Sequence, residues 1–215
     1  MTFEPDSPLV SEVCPSPNFE PRRENRQPTM LLLHYTGVPT CRGAIDWLAR
    51  PESKVSAHYV IDEAGRIVQM VRESMRAWHA GLSRWGSEVD INSASIGIEI
   101  HNPGHDGGYP DFTDAQMEAV AALCRDIIVR HGIRSERVLA HSDVAPVRKR
   151  DPGEKFDWAR LAKAGVGHWV EPEPVARSDR GIGLGYGGML VAEVQEMLAR
   201  YGYHIEPTGD FEEKT

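Results

Sequence analysis

Cysteine is scarce in this sequence. Its 215 residues hold three, Cys14, Cys41 and Cys124, an odd count with no Cys-x-x-Cys spacing. A disulfide framework is therefore not expected, and the pattern suits a reducing compartment. Long apolar runs are missing too: no stretch reaches the roughly 18 consecutive apolar residues of a membrane span. The first 28 residues are rich in proline and charge, where a secretory leader would need a continuous apolar stretch. On these absences the protein is expected in the cytoplasm, or in the periplasm or at the cell wall if a leader has been removed. Positive charge is in deficit as well. Lys and Arg number 24 against 32 Asp and Glu, a net charge of −8, which excludes the broad basic surface that nucleic acid or anionic lipid calls for.

With 40% hydrophobic and 26% charged residues, the composition is that of a globular chain able to bury a core without covalent staples. At one domain per roughly 150 residues, the length predicts one domain plus a fragment. Residues 1–28 read as an irregular arm. From Met30 the texture changes: MLLLHY and SIGIEI (Ser95 to Ile100) read as strands, SAHYVIDEAGRIVQMV as a hairpin, and RVLAHSD as a further strand before a loop. Helical patterns lie between them. The best is TDAQMEAVAALCRDIIVRHG, where Thr113 and Gln116 form a capping-box signature and Gly132 supplies the stop. Thr40 to Arg50 and Asp157 to Ala164 are shorter candidates. Strands interleaved with helices predict a mixed α/β domain ending near residue 165. Residues 166–188 are Gly- and Pro-rich and read as a linker. Their G-x-G-x-x-G (Gly183, Gly185, Gly188) follows no strand of a βαβ unit and is rejected as a dinucleotide fingerprint. A last helix, VAEVQEMLARYG, puts Val191, Val194, Leu198 and Tyr201 on one face, and too little chain follows it to complete a second domain.

Nine histidines are present, and the informative ones stand where a strand or loop would hold them. His34 ends the strand MLLLHY; alone, it reads first as a core imidazole bonded to backbone. His141 stands at the end of RVLAHSD, and Asp151 follows ten residues later in AHSDVAPVRKRDPG. Two imidazoles and a carboxylate from strand ends and a fixed loop are the ligand set of a catalytic zinc site with an open fourth position. Spacing alone does not bring His34 to His141. In SIGIEI the isoleucines 96, 98 and 100 share one face, so Ser95, Gly97, Glu99 and His101 share the other. Glu99 either faces solvent or lines a cleft as a general base. Lys149 is either a solvated surface charge or an oxyanion stabiliser. His58, in SAHYVI, and His79, in AWHAG, are further candidates, with structural roles equally open for His58.

Five ordered motifs, LLLHYTG, VSAHYVIDEAGRIVQMV, AWHAG, SIGIEIHNPGH and LAHSDVAPVRKRDPG, resemble the zinc-dependent N-acetylmuramoyl-L-alanine amidases of the AmpD/AmiD type, relatives of peptidoglycan recognition proteins. The resemblance covers residues 15–165. It implies a central mixed β-sheet flanked by helices, with an amidase domain over 29–165. It also implies one Zn2+ per chain on His34, His141 and Asp151, with Glu99 and Lys149 catalytic and His79, Asn102 and His58 binding substrate. The implied reaction cleaves the amide between the lactyl group of N-acetylmuramic acid, 1,6-anhydro forms included, and the L-alanine of the stem peptide. The implied partners are muropeptides, with no nucleic acid. A non-catalytic recognition module is the alternative; such relatives have lost zinc ligands, whereas this sequence keeps all three. Residues 189–215 resemble the first half of a peptidoglycan-binding domain, with Gln195, Leu198, Gly202, Tyr203, Gly209, Phe211, Lys214 and Thr215 at matching positions. The closing helices of that domain are missing, so the expected C-terminal part is an incomplete small helical segment.

Overall fold

The computed structural model describes residues 2–176 and 178–215; Met1 of the arm and Arg177 of the linker lie outside the described residues. The elements run β1 (Glu12–Val13), β2 (Phe19–Pro21), β3 (Met30–Tyr35), α1 (Cys41–Leu48), β4 (Tyr59–Ile61), β5 (Ile67–Gln69), β6 (Met75–Ala77) and α2 (Ile91–Ala94). Then follow β7 (Ser95–Ile100), α3 (Asp114–His131), β8 (Val138–Ala140), α4 (His141–Val144), α5 (Trp158–Lys163) and α6 (Met189–Tyr201). Six strands make one mixed sheet in the order β1-β5-β4-β7-β3-β8, antiparallel only between β4 and β5. A separate antiparallel ribbon joins β2 to β6. This is the expected central mixed sheet flanked by helices.

The period of two along each strand decides what faces what. Leu31 and Leu33 of β3, with Ile96, Ile98 and Ile100 of β7, turn to one side and bury against Met117, Val120, Leu123 and Ile127 of α3 and Leu161 of α5. Helix α3 begins and ends as its sequence predicts. Thr113 and Gln116 bond reciprocally at its start, and Gly132, at φ 65°, closes it in the left-handed conformation. Met30 and Leu32 turn to the other side, onto Ala80, Trp85, Ile91 and Leu139. Helix α1 covers the same side further out, with Ile45 and Leu48 on Val60 and Met70. His34 and Glu99 therefore emerge on the side away from α3.

Two expectations change. The N-terminal arm is not wholly irregular: β1 extends the main sheet and β2 pairs with β6. Its Arg22 is buried and donates to four backbone carbonyls, those of Glu73, Asn92, Ser93 and Ser95. Proline enrichment hid these short pairings. The second change concerns RVLAHSD, whose strand stops at Ala140. The Asp143 carboxylate accepts the Ala140 N–H at 2.7 Å, so His141 opens helix α4.

The rejected glycine motif lies in turn and coil, with no strand leading into it among the described residues. Beyond it, α6 buries Val191 and Gln195. Gln195 holds the last residues in place: its Nε2 donates to Asp210 O (2.9 Å) and Thr215 Oγ1 (3.0 Å), and its Oε1 accepts from Gly209 N–H (2.8 Å). The segment docks on the domain through Tyr203, whose ring lies 4.8 Å from that of Trp85 and whose hydroxyl donates to Asp143 Oδ1 at 2.5 Å.

Candidate active site

Strand register builds the site. On the parallel neighbours β3 and β7, His34 stands opposite Glu99 and Leu32 opposite Gly97. On the other side of β3, Leu33 stands opposite Ala140, so His141, one residue on, enters α4 beside His34. The loop after α4 returns Asp151, pinned where Ser142 N–H donates to Asp151 O at 3.0 Å. Three side-chain atoms converge as a result. His34 Nδ1 and His141 Nδ1 are 2.9 Å apart, and Asp151 Oδ2 lies 3.0 Å and 2.9 Å from them.

All three side chains are buried, and their electrostatics suit a cation. Burial and the neighbouring His141 lower His34 to about 4, against the pull of Asp151. Burial alone would raise Asp151, but its close contacts with His141 and His34 outweigh it and hold the carboxyl far below the usual range. Neutral imidazole and ionised carboxylate are the states a metal ion requires of its ligands. A tetrahedron with bonds of about 2.0 Å has an edge of about 3.3 Å, close to the spacing here. The three residues form a site that could hold a metal ion.

A groove of 320 Å³ opens over this cluster. Glu99, Lys149 and His79 line it, with Trp47 and Trp78 among its walls. Glu99 faces this cleft, not bulk solvent: its Oε2 is buried with no hydrogen-bond partner among the described residues. Burial pushes the Glu99 carboxyl well above its ordinary range; the charge of Asp151 adds to that and Lys149 opposes it. A carboxyl whose charge is disfavoured in this way is a candidate to take and return a proton.

Two expected groove residues stand elsewhere. His58 is fully buried outside the groove lining. It accepts Gly97 N–H on Nδ1 (3.0 Å) and so donates from Nε2 to Met75 O (3.0 Å), a clasp between β7 and β6. Burial, helped by Arg22, lowers its imidazole to about 3. Asn102 is also buried and organises its own loop, Oδ1 accepting from Gly104 N–H (2.9 Å) and Nδ2 donating to Pro110 O (2.8 Å). In both, the backbone takes the polar atoms that substrate would have met. Reading the sequence missed Asn92, whose Oδ1 accepts both His79 N–H (3.0 Å) and Ala80 N–H (2.8 Å). No pattern flags it, because its partners are backbone groups on another loop.

A family profile described as N-acetylmuramoyl-L-alanine amidase matches residues 24–154, more than half of the sequence. The chain belongs to this amidase family. It is 38% identical over 190 residues to N-acetylmuramoyl-L-alanine amidase AmiD of Escherichia coli K12, covering 83% of this chain and 67% of AmiD. It is 36% identical over 164 residues to 1,6-anhydro-N-acetylmuramyl-L-alanine amidase AmpD of the same organism, covering 68% of this chain and 87% of AmpD. Among solved structures, E. coli AmiD in complex with anhydro-N-acetylmuramic acid-L-Ala-D-gamma-Glu-L-Lys superimposes with a TM-score of 0.71 at 34% identity, over 87% of this chain and 76% of that one. Pseudomonas aeruginosa AmpDh3 superimposes with a TM-score of 0.68 at 28% identity, over 87% and 79%. The protein is thus an N-acetylmuramoyl-L-alanine amidase with an AmiD-like sheet. Among the described residues no helix is long and apolar enough to cross a membrane.

Proposed function

We propose that the protein is a zinc enzyme that cleaves the amide between the lactyl group of N-acetylmuramic acid, 1,6-anhydro forms included, and the L-alanine of the stem peptide. The observation that carries this reading is the convergence of His34 Nδ1, His141 Nδ1 and Asp151 Oδ2 within 3.0 Å of one another at the floor of a groove also lined by Glu99 and Lys149. His34, His141 and Asp151 would hold the ion, and zinc so bound supplies Lewis acidity toward the amide carbonyl. Glu99 takes a proton from the attacking water and returns it to the departing amine. Lys149, which has no carboxylate partner among the described residues, offers its ammonium to the oxyanion of the tetrahedral intermediate. The half-exposed Trp47 indole (48%) on the groove wall presents an apolar face to the sugar ring.

Anhydro-muropeptides are the favoured substrate, since the AmiD structure that this fold matches is a complex with one. The three free cysteines suit a reducing compartment, where the role would be recycling of wall fragments. The test is mass spectrometry of anhydro- and reduced muropeptides incubated with purified protein of known zinc content. Wild type is expected to release free stem peptide, faster from the anhydro form, and Glu99→Gln to lose at least about a hundredfold in rate while retaining zinc. Undiminished release by Glu99→Gln would remove Glu99 from the mechanism. Muropeptide bound but left intact by the zinc-loaded wild type would instead favour a recognition module.

A further inference from the structure

The two imidazoles of the cluster each have a second ring nitrogen, and both of these atoms meet the same short stretch of chain. His141 Nε2 lies 3.0 Å from Ala80 O. A carbonyl only accepts, so His141 carries its proton on Nε2 and presents a lone pair at Nδ1. His34 Nε2 lies 3.1 Å from His79 Nδ1. There the donor is fixed one link further on. The Ser95 hydroxyl gives its proton to Ile91 O at 2.5 Å, which leaves Ser95 Oγ to accept from His79 Nε2 at 3.5 Å. His79 Nδ1 is then the acceptor, His34 Nε2 the donor, and His34 Nδ1 a second lone pair aimed at the same point.

Adjacent residues 79 and 80 thus define the tautomers of both histidines, one through a side chain and the other through a carbonyl. Both of their N–H groups are accepted by a single atom, Asn92 Oδ1. Asn92 sits in α2, directly before the strand that carries Glu99. Arg148 adds a second donor to Ala80 O at 2.7 Å. Room for the His79 ring comes from Gly97: a Cβ at that position would lie 2.4 Å from His79 Cγ.

We propose that His79 and Asn92 are positioning residues, an outer clamp that orients both metal-binding imidazoles and holds them in the Nε2–H tautomer. This inference rests on the proposed metal role of His34 and His141, and it assigns His79 a task beyond lining the groove. Outer partners of this kind change metal affinity by about ten- to a hundredfold when removed.

The test compares His79→Leu and Asn92→Ala with two replacements that keep an acceptor in place, His79→Asn and Asn92→Asp. Zinc affinity is measured by chelator competition, and the visible absorption of the cobalt-substituted proteins reports ligand geometry. The first pair is expected to bind zinc about ten- to a hundredfold more weakly, with an altered cobalt spectrum. The second pair should stay within about threefold of wild type, with its spectrum. Folded His79→Leu and Asn92→Ala proteins with wild-type affinity and spectrum would overturn the clamp. So would equal losses in all four variants, which would mark a packing effect only. Imidazole 15N shifts of the metal-free wild type separate the clamp from the metal reading. A proton on Nε2 of both His34 and His141 is expected, and an unprotonated Nε2 at either overturns the clamp. Failure of wild type to bind zinc, with both tautomers as expected, overturns the metal reading alone.

Discussion

Glu99 reaches the groove from the polar face of an otherwise apolar strand, and its neighbours decide what it can do. Desolvation and Asp151 disfavour its charge, while Lys149 favours it. Removing that ammonium should therefore move two observables at once. Lys149→Met is expected to lower kcat by about a hundred- to a thousandfold through the lost oxyanion partner. It should also shift the acid limb of the kcat/KM profile to higher pH, because Glu99 loses a favourable charge. A pH profile of wild type and variant against muropeptide checks both, and an acid limb that stays put would mean Lys149 does not act on Glu99. The candidate metal cluster was legible in the sequence as residue types at strand ends and in a loop. Which ring nitrogens converge was not, since that depends on the acceptors at positions 79 and 80. His58 and Asn102 stand outside the groove lining for a related reason: a motif shows that a polar residue is present, not whether backbone already satisfies it.

Short elements carry the proposed ligands, so their anchoring matters more than their length. Helix α4 has four residues, too few to persist on intrinsic propensity. Asp143 holds it twice, accepting Ala140 N–H on one oxygen and the Tyr203 hydroxyl on the other. The second bond comes from beyond α6, so the C-terminal segment braces the helix that begins at His141. Gly202 permits this approach: a Cβ there would lie 2.3 Å from the Trp85 ring. Tyr203→Phe leaves the ring contact and removes the bond to a carboxyl that burial makes costly to leave unpaired. It should cost about 1.5–3 kcal/mol in urea unfolding; a loss below about 0.5 kcal/mol would mean the brace is idle. At this scale α3, α1 and β7 were readable from caps and period. The strand β1 and helix α4 were not, because both exist through long-range partners: Val68 and Gln69 for one, Tyr203 for the other.

Across the whole molecule, buried polar groups link the sheet to its coverings and make stability depend on pH. Burial alone would raise Glu73, but hydrogen bonds from Arg130, His131 and Tyr59 outweigh it and bring the carboxyl down to about 2 from its ordinary 4.5. These bonds join the C-terminal end of α3 to β4. Below pH 4.5 the unfolded chain takes a proton at this position that the native chain refuses, so stability is lost as pH falls toward about 2. His58 acts in the same direction over a higher window. It is neutral in the native state down to about 3, whereas unfolded it protonates below 6.5. Urea midpoints should fall steadily from pH 7 to pH 4, and the decline should continue below it. Glu73→Gln should be less stable at pH 7 and flatter below pH 4.5, the difference reflecting roughly 3 kcal/mol of linkage. Parallel curves for the two proteins would remove Glu73 as a source of the acid sensitivity. What the sequence by itself determined is the part governed by neighbours along the chain: the strand faces, the helix ends, the residue types of the candidate metal cluster and the family that its ordered motifs resemble. The tertiary structure decided what depends on groups far apart in the chain: which face of the sheet becomes a groove, which imidazole nitrogen is free, and which histidine lines the groove and which is a clasp. A hydrogen bond or a burial penalty is set by distance in space, and sequence separation leaves that distance undetermined.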